Sequence, residues 1–188
     1  AGILVALIIG IPTGIISAKK QYSAVDNVSM VLSLIGVSMP NFWFGLLVVI
    51  VFALNLGWLP SQGMGEGGVE LLKSLVLPAL TLGTGCAATI TRMTRSSMLE
   101  VIHQDYIDTA KAKGVSERTI TFRHMLKNAL IPIVTAVGLQ FGTLLGGAML
   151  TETVFSWPGL GRLMVDSIKS KDIPMVLGSV IFMAVMFS

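Results

Sequence analysis

The 188-residue chain is 53% apolar and only 12% charged, with a formal charge of +3 and a mean hydropathy of +0.82. Soluble domains carry about 25% charged residues, so this composition excludes an ordinary soluble domain and belongs to an integral membrane protein. The single cysteine, Cys86, excludes an internal disulfide.

In chain order, residues 1–18 are apolar and end at Lys19 and Lys20. Spanning takes roughly 20 residues, so this reads as a span lacking its first turn. Residues 28–56 form a second span, long enough to tilt and interrupted by Pro40-Asn41. A short loop over residues 57–73 carries Trp58 and Pro60. Residues 74–90 are a third span, entered through Pro78 and followed by Arg92 and Arg95. Residues 96–132 are polar and hold most of the charge. Residues 130–150 are a fourth span, residues 151–173 read as an external loop, and residues 174–188 begin a fifth that is cut short. Pro12 and Pro40 should kink their spans, because each deletes a backbone hydrogen bond. Both ends lie inside apolar runs, so a piece of a longer membrane subunit is expected.

Orientation follows from Lys and Arg counting. One set of loops holds nine basic residues: Lys19, Lys20, Arg92, Arg95, Lys111, Lys113, Arg118, Arg123 and Lys127. The other holds four: Lys73, Arg162, Lys169 and Lys171. This places residues 96–127 in the cytoplasm and Trp58 and Trp157 near the outer interface.

The chain is organised around residues 96–132. Helical spacing over residues 98–113 lets Val101, Ile102, Tyr106, Ile107 and Ala110 share a face. Gly114 then stops the helix, as a residue free to adopt positive φ does just past a last turn rich in lysine. Ser116 can cap a second helix carrying Ile120, Phe122 and Met125, and Pro132 falls in the opening turns of an apolar run. A bent element with apolar teeth reads as a docking surface.

No catalytic constellation is present. His103 and His124 lack a Cys or carboxylate at metal-ligand spacing, so no metal site is expected. The glycine patches lack the GxxxxGK that cradles nucleotide phosphates, so this chain does not hydrolyse ATP by itself. Gly138, Gly142 and Gly146 recur every four residues, which puts bare backbone along one stripe of the fourth span. The stripe serves either ordinary packing within the subunit or contact with a partner subunit or the pathway. Gln140 and Thr143 in that span, and Asn41 in the second, either line a cavity or bond across helices. Glu152, just beyond the fourth span, reads as a solvated loop carboxylate.

Two long motifs remain. The run TRSSMLEVIHQDYIDTAKAKG ends in Asp108-Thr109-Ala110-Lys111-Ala112-Lys113-Gly114 and is followed by Leu130-Ile131-Pro132. The second is LTETVFSWPGLG, residues 150–161. On these residues the chain resembles the inner-membrane permease subunits of binding-protein-dependent ABC importers, within their oligopeptide/dipeptide/nickel group. The family's cytoplasmic motif is an EAA triplet, three residues, then Gly; here Asp and Thr replace the Glu and the first Ala. The resemblance implies an all-α type I ABC importer transmembrane domain over residues 1–188, with residues 96–132 as its cytoplasmic coupling segment. Five spans would be visible, with the family's first span preceding Ala1 and its last continuing past Ser188.

It further implies that two such subunits pair in the inner membrane of a prokaryote, and that each docks one of two cytoplasmic ATPase subunits. Tyr106, Ile107, Asp108, Thr109, Ala110, Lys111 and Gly114 would make that coupling contact. ATP-Mg would be bound by the ATPases and no cofactor by this chain. A solute-binding protein would deliver the cargo, the lipid bilayer would be the solvent, and nucleic acid has no part. The cargo implied is a di- or oligopeptide, or else nickel or a nickel chelate. The competing classes are a channel or secondary transporter, which would need charges inside the spans, and a scaffold whose cytoplasmic helices recruit a soluble partner.

Overall fold

A computed structural model of the chain describes residues 1–187, and the side-chain surroundings of residues 145–147 and 187 lie outside what it describes. Every regular element among the described residues is helical. They are α1 (Gly2–Lys19), α2 (Ala24–Ser38), α3 (Asn41–Val48), α4 (Gly68–Ile102), α5 (Asp105–Ala112), α6 (Glu117–Thr119), α7 (Leu126–Gly147), α8 (Met149–Val154), α9 (Leu160–Lys169) and α10 (Ile173–Phe187). Two π-helical stretches, Val49–Asn55 and Ile120–Met125, extend α3 and join α6 to α7.

Three helical runs are long and apolar enough to cross a membrane: Gly2–Lys19, Gly68–Ile102 and Glu117–Leu144. The pair Ala24–Ser38 and Asn41–Asn55 makes a fourth if counted as one bent span, and Ile173–Met186 is a shorter apolar helix. The five apolar segments of the sequence are therefore all helical, with two changes. The second span is two helices, because Pro40 takes φ −60° and ψ 131° and starts α3 afresh at Asn41. The third reaches well beyond residues 74–90, continuing to Ile102 through Arg92 and Arg95. Pro12, by contrast, sits inside α1 without ending it.

The chain resolves into two compact units. One comprises residues 4–38 and 85–139. Here α1 lies hard against α4, and the reason is two glycines four residues apart. A Cβ on Gly10 would stand 2.8 Å from Ile90 Cγ2, and one on Gly14 would stand 2.5 Å from Thr94 Cβ and 2.7 Å from the Thr91 carbonyl. Only a bare backbone fits there, which is how membrane helices gain close packing without a hydrophobic driving force between them.

The other unit comprises residues 1–3, 39–84 and 140–188. Its core is Val48, Leu77 and Phe155, with Phe44, Phe52 and Leu59 packed around it. The loop after the first π-helical stretch is pinned to the segment after α8, since the Gly63 amide donates to the Phe155 carbonyl at 2.9 Å. Glu152 is not the solvated loop carboxylate the sequence suggested. Its Oε2 accepts from the Arg162 amide at 3.0 Å, capping the first turn of α9. The tight placement explains Gly159, where a Cβ would fall 2.2 Å from the Glu152 carboxylate carbon.

Candidate functional site

The polar segment of residues 96–132 lies wholly in the unit of residues 4–38 and 85–139. It is not one helix over residues 98–113. The helix α4 ends at Ile102, Gln104 becomes extended at φ −84° and ψ 139°, and α5 starts at Asp105. His103 and Asp105 are modest helix formers, and Asp105 and Asp108 suit the positive end of a new helix. The break turns the apolar face of α5 onto the chain's own core.

The C-terminal end of α5 is closed by a Schellman motif. Gly114 takes φ +73°, the Gly114 amide donates to the Lys111 carbonyl at 2.9 Å, and the Val115 amide reaches back to the Ala110 carbonyl at 3.2 Å. Val115 packs on the cluster that contains Ala110, supplying the apolar contact that accompanies the motif. Ser116 then caps the next turn, its Oγ accepting from the Thr119 amide at 3.4 Å. Both the glycine stop and the serine cap are where the sequence predicts them.

Beyond the cap, the wide turn Ile120–Met125 leads into α7. Ile120 and Thr121 are both buried at its start, and Met125, Ala129 and Ile133 follow Thr121 at intervals of four, the spacing of one helix face. Ile120, Met125, Ala129 and Ile133 close a core with Ile15 and Ala18 of α1, Met98 of α4, and Ile107 and Ala110 of α5. The bent segment is thereby fixed to three long helices at once.

This packing corrects the assignment of the apolar teeth. Ile107 is fully buried and Ala110 is 8% exposed, both inside the chain's own core. Tyr106 is 42% exposed and Phe122 56% exposed, and these stay free. Asp108, Thr109, Lys111 and Gly114 are also exposed. The Lys111 Nζ donates to Asp108 at 3.1 Å, a surface pair that contributes little to stability. Tyr106 is steadied by Asn128, whose Nδ2 donates to the phenol oxygen at 2.9 Å. The outward side is thus polar with two exposed aromatics, on a rigid apolar base.

The second group of predicted residues is divided between the two units. Asn41 is the exposed first residue of α3. A Cβ on Gly138 would meet nothing within 4 Å. Thr143 Oγ1 donates to the Gln140 carbonyl at 2.9 Å, within its own helix. Gly142 is half-buried, and the packing around Gly146 lies outside the described residues. In the unit of residues 4–38 and 85–139, a close helix contact is made at Gly10 and Gly14 in α1, which share the same four-residue spacing.

Sequence reasoning also missed a buried ion pair. Asp26, in the first turn of α2, is 2% exposed. Arg95 of α4 donates to it twice, Nε to Oδ1 at 2.6 Å and Nη2 to Oδ2 at 2.7 Å. The carboxylate also accepts from the Tyr22 amide at 2.9 Å and from Ser17 Oγ. Tyr22 is held at φ 60° in that turn. Two-point arginine–carboxylate contact is among the stronger hydrogen-bonded pairings available. The signal was there, since Asp26 is the only acidic residue before Glu66.

Residues 10–188 match the family of binding-protein-dependent transport system inner membrane components. The chain belongs to that family. It is 44% identical over 188 residues to the oligopeptide transport system permease protein AppB of Bacillus subtilis, covering 97% of this chain and 60% of the relative. It is 45% identical over 205 residues to the dipeptide transport system permease protein DppB of Alkalihalophilus pseudofirmus, covering 97% of this chain and 62% of the relative. To the glutathione transport system permease protein GsiC of Escherichia coli K12 it is 44% identical over 182 residues, covering 97% of this chain and 58% of the relative. This inner membrane component therefore spans about three fifths of the length of the relatives it matches.

Proposed function

We propose that the chain is part of the permease subunit of an ATP-driven importer that moves di- or oligopeptides delivered by a solute-binding protein. Two such subunits pair in the membrane, and each receives one of two cytoplasmic ATPases, which hold ATP-Mg. The exposed side of residues 96–132 is the ATPase-facing surface, with Tyr106, Asp108, Thr109, Lys111 and Gly114 at the contact. Ile107 and Ala110 form its rigid base. The observation that carries this reading is the shared core of α1, α4, α5 and α7. A push on the bent segment reaches three long helices without first deforming a loop, because close-packed interiors transmit displacement. Peptides are the cargo that the relatives favour, as permease proteins for an oligopeptide, a dipeptide and glutathione, itself a tripeptide.

The direct test is reconstitution of the full-length permease with its partner subunits in vesicles. Peptide-loaded binding protein should raise ATP hydrolysis and drive peptide across the bilayer only while ATP lasts. Hydrolysis indifferent to peptide, or peptide uptake without ATP, would overturn the reading.

A further inference from the structure

The Asp26 carboxylate collects donors from three separate places: Ser17 in α1, the Tyr22 amide in the turn after it, and Arg95 in α4. Two of those helices also supply the base of the bent segment. Ser17 lies between Ile15 and Ala18, both in the core beneath α5. Arg95 lies three residues before Met98, which is fully buried in the same core. The ion pair and the bed of α5 and α7 are thus fixed by the same turns of the same helices. The pair is also directional. Arg95 meets both carboxylate oxygens, so it restrains the rotation of α4 about its axis as well as its distance from α2, which a single contact would not do.

We propose that Asp26 and Arg95 are positioning residues for coupling, forming the joint that makes α1, α2 and α4 move with the bent segment as one body. This rests on the importer reading above. Loosening the joint leaves the exposed face of α5 intact, so the ATPases still dock and still hydrolyse. The motion they start is then lost between the segment and the spans.

The test uses the full-length permease in complex with its ATPases and binding protein, carrying Asp26→Asn, Arg95→Lys or Ser17→Ala, with radiolabelled alanylalanine as cargo. The readout is dipeptide transported per ATP hydrolysed, per assembled complex, which a loss of folded protein alone does not change. Asp26→Asn should lower that ratio roughly tenfold, within the range found for coupling between sites. Arg95→Lys keeps the charge but not the two-point contact and should fall between Asp26→Asn and the native protein. Ser17→Ala, which removes one donor of four, should have the smallest effect. An unchanged ratio in Asp26→Asn overturns the proposal. If the native complex itself imports no alanylalanine, this dipeptide is not its cargo, and a second measurement decides the joint. Spin labels at Lys20 and Lys113 should give a broader distance distribution in Asp26→Asn than in the native permease, and an identical distribution overturns the joint.

Discussion

An Ala110→Arg chain should fail to accumulate as folded protein in the membrane. Ala110 sits in a core of Ile107, Met98, Ile120 and Met125, and its own carbonyl closes the Schellman turn through Val115. Ala110 is buried there among apolar side chains. An arginine there either buries its charge without a partner, at an effective cost of several kcal/mol, or pries α5 off the base. Folded domains are stable by only about 5–15 kcal/mol, so a loss of that size removes much of the margin. The check is the yield of detergent-soluble, protease-resistant permease beside the native protein. Lys111→Ala is the control one residue away. It breaks only the exposed pair with Asp108 and should change stability by about 0.5 kcal/mol or less. A normally folded Ala110→Arg permease that has lost only its ATPase would mean that Ala110 faces the partner, against the burial described here.

Gly14→Leu should be the most damaging of the glycine replacements within the unit of residues 4–38 and 85–139. The new Cβ alone would lie 2.5 Å from Thr94 Cβ and 2.7 Å from the Thr91 carbonyl. A backbone carbonyl inside α4 cannot swing away, so α1 and α4 must separate. Overpacking of this kind typically costs about 1–3 kcal/mol, and separation would strain Ser17 and Arg95 at Asp26 as well. For a domain of this size each kcal/mol lowers Tm by roughly 2–4 °C, so thermal unfolding in detergent should show a drop of several degrees. Gly138→Ala meets nothing within 4 Å and should not lower the Tm of the chain, because alanine is the better helix former. Equal destabilisation by the two would show that the stripe of Gly138 packs as tightly as that of Gly14.

What the sequence revealed and what it hid divide along physical lines. Local backbone chemistry was legible: Gly114 takes the positive φ that ends α5, and Ser116 caps the turn that follows, because each depends on its immediate neighbours. Apolar runs located the five hydrophobic segments for the same reason. The break at Gln104 was not legible, since helical spacing continues across it and the weak helix formers beside it do not by themselves end a helix. Nor could spacing say whose core an apolar face would enter. Ile107 and Ala110 look the same as teeth for a partner or as pegs in their own base. Asp26 and Arg95 are 69 positions apart, and Glu152 finds its amide ten residues on, at Arg162. Such pairings are set by the fold. The glycines show the limit from the other side: the spacing of four is shared by Gly10–Gly14 and Gly138–Gly142, and spacing alone does not say that Gly10 and Gly14 are the ones pressed against α4.

Coupling through the bent segment requires the exposed side of α5 to meet an ATPase. A photoreactive benzoylphenylalanine placed at Tyr106 or Phe122 of the full-length permease, in cells that contain the whole transporter, reports that contact directly. Ultraviolet light should join both positions to the ATPase subunit, while the same residue at Trp58 should give no such product. ATPase adducts absent at Tyr106 and Phe122 but present at Trp58 would contradict both the docking surface and the orientation of the chain.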